Sequence, residues 1–100
     1  MGSSEFLDVD PRTLHLPNSR RYGADPGKLQ QQISKYGKST LGMQPIWVYR
    51  GSDDALLISN GVTRATRVAK LLPGETVPVQ VIGTLRRPFG HLPTIGEHLP

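Results

Sequence analysis

The sequence predicts one small α/β domain, built from a small mixed β-sheet and two main helices. Two stretches, near 26–36 and 62–72, repeat apolar residues at helical spacing. Short apolar runs at 6–9, 45–49, 55–58 and 77–82 read as strands, and that at 45–49 has the β-branched and aromatic composition of one. One hundred residues make one domain at the small end of the range, able to bury a modest core.

Met1-Gly2-Ser3-Ser4-Glu5 reads as an expression remnant and is set aside, so that residues 6–82 form the domain. Phe6-Leu7-Asp8-Val9 alternates weakly, as an edge strand does, and Pro11 breaks it. Thr13-Leu14-His15-Leu16 is a second short apolar piece, ended by Pro17-Asn18-Ser19. Asp25-Pro26 signals a helix start, because Asp accepts from free first-turn N–H groups and Pro suits the first helical position. Leu29, Ile33 and Tyr36 continue that helix to Gly37, with Lys28, Gln31, Gln32 and Lys35 on its polar outer face.

Pro45-Ile46-Trp47-Val48-Tyr49 predicts a strand, and Ala55-Leu56-Leu57-Ile58 another. Gly51-Ser52-Asp53-Asp54 between them is turn chemistry, so the pair predicts a hairpin. Gly61 opens the second helix. Val62, Ala65, Val68, Ala69 and Leu72 form its apolar stripe, with Thr63, Arg67 and Lys70 on the outer side. Pro73-Gly74 ends it, and Val77-Pro78-Val79-Gln80-Val81-Ile82 is a last strand whose Pro suggests its start or a sheet edge. Residues 83–100, rich in Gly, Pro and His, predict an extended tail packed on or crossing the domain.

The chain has no cysteine, which removes disulfides, thiolate chemistry and Cys-based zinc sites. No apolar run is long enough to span a bilayer, so the chain reads as soluble, with no membrane partner. The net charge of +4 suits a polyanion such as nucleic acid or a nucleotide, and is equally compatible with a mildly basic domain that binds neither.

The strongest local feature is the strand–turn–helix Ser59-Asn60-Gly61-Val62-Thr63-Arg64. Free N–H groups at a helix start carry partial positive charge and suit a phosphate. Gly61 permits close approach, Arg64 offers a planar fork and Thr63 a hydroxyl. Spacing alone favours the plainer reading, in which Gly61 only makes the turn, Ser59 or Asn60 caps the helix and Arg64 is solvated.

Several segments in order resemble the ParB/sulfiredoxin superfamily. Leu57 to Ala69, followed by Glu75-Thr76-Val77-Pro78-Val79, is similar to its strand, Gly-x-x-Arg helix start and returning strand. Gly42-Met43-Gln44-Pro45-Ile46-Trp47-Val48 resembles the preceding segment. Leu14-His15-Leu16-Pro17-Asn18-Ser19-Arg20 resembles the opening one, and the helix at 26–36 sits where the family has its own. The resemblance implies a nucleotide or phosphate pocket at Gly61 and Arg64. Gln44 and the Gly42–Ile46 segment would wall it, and Asn18 and Arg20 would stand at its rim. Where sulfiredoxins carry a cysteine in this motif the chain has Val62, which excludes sulfinic acid reduction. Where partition proteins carry an acidic residue and a second arginine it has Val62 and Thr63.

The tail, Arg86 to Pro100, is similar to the ends of C-terminal toxin modules of bacterial polymorphic toxins. The expected function is therefore a toxin-type effector cleaving phosphodiester bonds in nucleic acid. Arg64 would be catalytic with His15 as acid or base. Ser59, Asn60, Gly61, Thr63 and Arg67 would hold the phosphate. A phosphotransferase or NTPase using Mg²⁺ is the alternative, and a non-catalytic nucleotide- or DNA-binding module, or one that meets an immunity-type protein, is the third. A delivered toxin would act in the cytoplasm of a target bacterium, and the domain would otherwise be cytoplasmic.

His91, His98 and Glu97 have no metal-ligand spacing, so no tight metal site is expected. Trp47 and Tyr49 read as core and sheet-face residues rather than base-stacking platforms, since no aromatic cluster surrounds them in the sequence.

Overall fold

Helix α1 spans Pro26–Tyr36, and the carboxylate of Asp25 accepts from the Lys28 N–H at 3.0 Å to cap it. Gly37 ends it with a positive φ of 54°, its N–H donating to Ile33. The computed structural model describes residues 5–100. Of the expected remnant, residues 1–4 lie outside the described residues, whereas Glu5 opens strand β1 (Glu5–Val9). Three further strands follow: β2 (Ile46–Arg50), β3 (Leu56–Asn60) and β4 (Val77–Thr84). Helix α2 (Val62–Leu71) joins β3 to β4.

The four strands form one mixed sheet in the order β1-β4-β2-β3. β2 and β3 are the expected antiparallel hairpin, closed at the Gly51–Asp54 turn. β4 runs parallel to β2 and antiparallel to β1, so the α2 crossover carries the chain over β2. The protein is thus a small α/β domain. Pro78 is tolerated near the start of a central strand, where it stands opposite Asp8 of the edge strand.

Ile46, Val48, Val77, Val79 and Val81 point to one face and meet Val62, Ala65, Val68 and Ala69 of α2. The α2 stripe is therefore buried as its spacing requires. Leu14 and Leu16 join this core, although 13–16 forms no full strand. His15 alone bridges Leu57 on β3, exchanging its backbone groups with Leu56 and Ile58.

The tail does more than cross the surface. Leu14 and Leu16 pair with Ile95 and Pro93, and Ile95 is fully buried in the core. Phe89 is also buried and packs against Gly51, where a Cβ would stand 2.8 Å from its ring. The Asp53 carboxylate fixes this arrangement by accepting from the N–H groups of Gly90 at 2.8 Å and Phe89 at 3.2 Å. These bonds, the Gly90 bond foremost, hold its pKa below the usual carboxylate value. Among the described residues, no helix is long and apolar enough to cross a membrane.

Candidate functional site

The turn between β3 and α2 forms as a direct consequence of its glycine. Gly61 is the N-cap residue at φ 117°, ψ 19°, a region that side chains resist. A Cβ there would also meet Ile46 Cδ1 at 2.9 Å and the Arg64 guanidinium at 3.0 Å. Neither Ser59 nor Asn60 caps the helix. Among the described residues no side chain caps the helix start, so the first N–H groups remain as donors at its positive end.

Gly61, Val62, Thr63 and Arg64 at this helix start line a groove of about 690 Å³ between α2 and α1. Ser59, Asn60, Gly61, Thr63 and Arg64 line one wall. Lys28, Gln31, Gln32, Lys35 and Tyr36 of α1 line the other, and Ser19 and Arg20 form the rim. The lining holds the cations Arg20, Lys28, Lys35 and Arg64 and no Asp, Glu or His. Such a one-sign groove concentrates the field on an anion.

Arg64 is half-buried. Its Nη2 donates to the Pro45 carbonyl at 3.0 Å, which ties the guanidinium to the segment before β2. Among the described residues its buried Nε has no hydrogen-bond partner, and neither has the buried Oε1 of Gln32 on the opposing helix. Burial pushes the Arg64 pKa down from its ordinary value. An anion in the groove would offset that desolvation.

The remaining expected residues sit elsewhere. Gln44, with Gly42 and Met43, lines a smaller adjoining cleft of about 110 Å³ that shares Gln32, Tyr36 and Arg64 with the main groove. Asn18 is exposed and is not among the lining residues, although its neighbours Pro17, Ser19 and Arg20 are.

Arg67 requires a correction. It is 2% exposed and does not lie on the outer side of α2. Its Nη1 donates to the carbonyls of Gly37 at 2.7 Å and Ser39 at 2.8 Å, and its guanidinium stands 5.4 Å from the Tyr36 ring centroid. It therefore braces the loop after α1. The physical reason is local: the α1–β2 loop turns its carbonyls inward, and an arginine stem can cross the core edge to reach them.

His15 likewise does not line the groove. Its Nδ1 lies 2.8 Å from the Leu92 carbonyl and donates to it, which holds the ring against the tail. The acid–base role expected of it has no support at that place. Among the described residues, no three His, Cys, Asp or Glu side chains gather in one place.

The α1 residues are what sequence reasoning missed. Lys28, Gln31, Gln32 and Lys35 read from the sequence as the polar outer face of α1, yet they line the groove opposite the α2 start. Their spacing of three, four and seven was the available signal, since it places them on one helical stripe. No protein-family model matches the chain, and no curated protein matches it at a significant level.

Proposed function

We propose that the chain is a phosphate-binding domain of the ParB/sulfiredoxin type that holds a nucleic acid or nucleotide in the groove at Gly61–Arg64. One observation carries this reading: Arg20, Lys28, Lys35 and Arg64 converge on an uncapped helix start with no acidic lining residue. The family resemblance is supported by the placement of its segments, which fall on the β2 approach, the β3–α2 turn and β4. Binding is favoured over phosphodiester cleavage because the groove lining includes no His, Asp or Glu to take a proton near neutral pH.

The test is incubation of the protein with plasmid DNA, total RNA and a nucleotide panel, with Mg²⁺ or EDTA, beside Arg64→Ala. The expected result is retention of one of these ligands without turnover, lost in the variant. Polymer cleavage lost in Arg64→Ala would replace binding by a nuclease of the toxin type. Released phosphate would replace it by a nucleotide-hydrolysing enzyme. Failure to retain any ligand would overturn the reading.

A further inference from the structure

The sheet face turned away from the helices carries a row of aromatic residues. Alternation along the strands sends Ile46, Val48, Val79 and Val81 into the core, and Phe6, Gln80 and Trp47 outward. The register aligns these three across the sheet: Phe6 stands opposite Gln80, and Gln80 opposite Trp47. Phe6 is 62% exposed and Trp47 45%. With strands about 4.8 Å apart, the two ring-bearing residues lie about 10 Å from each other across β4. One strand position along, Ile82 is also exposed beside the β2–β4 irregularity, and the Tyr49 ring lies over Gly83, where a Cβ would come within 3.2 Å of it.

Single exposed aromatics are ordinary, but an aligned pair on an open sheet is a surface with flat rings presented to solvent. Its position gives it an occupant. Trp47 pairs with Asn60 of β3, and Asn60 lines the basic groove. The aromatic row therefore begins where the groove ends. A ligand that follows both must carry anionic groups for Arg20, Lys28, Lys35 and Arg64, and flat apolar groups for Trp47 and Phe6. A nucleic-acid strand with unpaired bases has both, whereas a duplex keeps its base faces stacked away. Four-stranded sheets bearing exposed aromatics are a recurrent platform for such bases.

We propose that a single strand of nucleic acid occupies this face, with a phosphate at the Gly61–Arg64 end and successive bases stacked on Trp47 and Phe6. The inference rests on the phosphate-binding reading of the groove. Asp8, on the same side of β1 as Phe6, marks the limit of the path, because a phosphate is repelled there.

Trp47 is the only tryptophan of the chain, so its fluorescence reports on this face directly. The full chain is titrated with oligothymidylate, with a duplex of equal length and with tripolyphosphate, following Trp47 emission and ligand binding. The expected result is quenching by the single strand, with weaker quenching by the duplex and little by tripolyphosphate. Phe6→Ala and Trp47→Ala each weaken oligothymidylate about tenfold relative to tripolyphosphate, the scale of one lost base–ring stack. Both residues are exposed, and melting curves confirm that the variants fold.

If tripolyphosphate binds but oligothymidylate ignores both substitutions, this inference fails and the groove stands. If neither ligand binds, the groove reading fails and the inference falls with it. If sedimentation shows a dimer dissolved by Trp47→Ala, with strand affinity unchanged, the face belongs to a protein partner instead.

Discussion

Replacing Arg67 by alanine separates the brace from the binding site. The substitution removes a guanidinium that is 2% exposed and donates to two loop carbonyls at 2.7 and 2.8 Å. A hydrogen bond from a charged group is worth about 1.5–3 kcal/mol. The two here share one nitrogen, so together they contribute less than twice that. The contact with Tyr36 adds about 0.5–1 kcal/mol. Against these stands the cost of burying the cation, whose Nε is unpartnered and whose pKa burial pushes down. The net loss is roughly 2–4 kcal/mol, which in a domain of this size lowers the melting midpoint by roughly 10–30 °C. Arg67→Lys, which can satisfy one carbonyl, should fall between the parent and Arg67→Ala. Thermal and urea denaturation measure this, alongside tripolyphosphate binding below the transition. A variant that melts with the parent but binds tenfold more weakly would refute the reasoning, since Arg67 would then be a ligand contact.

Gly61→Ala should cost about 1–3 kcal/mol for the positive φ alone, with more from contact with Ile46, and urea midpoints will register it. Asp53 has a depressed pKa through its bonds to Gly90 and Phe89. Its contribution is therefore full above the usual carboxylate value and is lost as pH falls through the lower folded value. The parent should lose stability below about pH 4, while Asp53→Ala, which frees the segment at Phe89 and Gly90, should be trypsin-sensitive after Arg86 already at neutral pH. Salt titration of single-strand binding should give a log–log slope of about −2.8 if all four groove cations meet phosphate, and a slope shallower by about 0.7 in Arg64→Ala.

The regular elements were legible because their signals are local. Asp25-Pro26 and Gly37 bracket α1 at its observed ends, and the α2 stripe is the buried stripe. β4 runs two residues past its expected end, to Thr84, because pairing with Arg50 of β2 extends it and no local signal encodes that. The tail was harder to read. Its Gly and Pro residues mark turns, while Phe89 and Ile95 are single apolar anchors with no period around them. They are recognisable only once Asp53 and Leu14 hold the chain in place.

At the site, the turn at Gly61 and the helix after it followed from the strand–turn–helix pattern, whereas the cap by Ser59 or Asn60 and the solvated Arg64 that spacing favoured do not form. The second wall did not, because polar residues on a helix face look alike whether they face solvent or another helix. Arg67 fails as a sequence prediction for the complementary reason. Its partners are backbone carbonyls of the loop after α1, which any sequence presents and only the fold directs.

The most direct test of the phosphate groove is a residue-resolved amide NMR titration with tripolyphosphate. The account predicts the largest shifts at the backbone N–H groups of Val62, Thr63 and Arg64, followed by Lys28 and Lys35 across the groove. Shifts confined to other parts of the chain, or none at millimolar ligand, would contradict it.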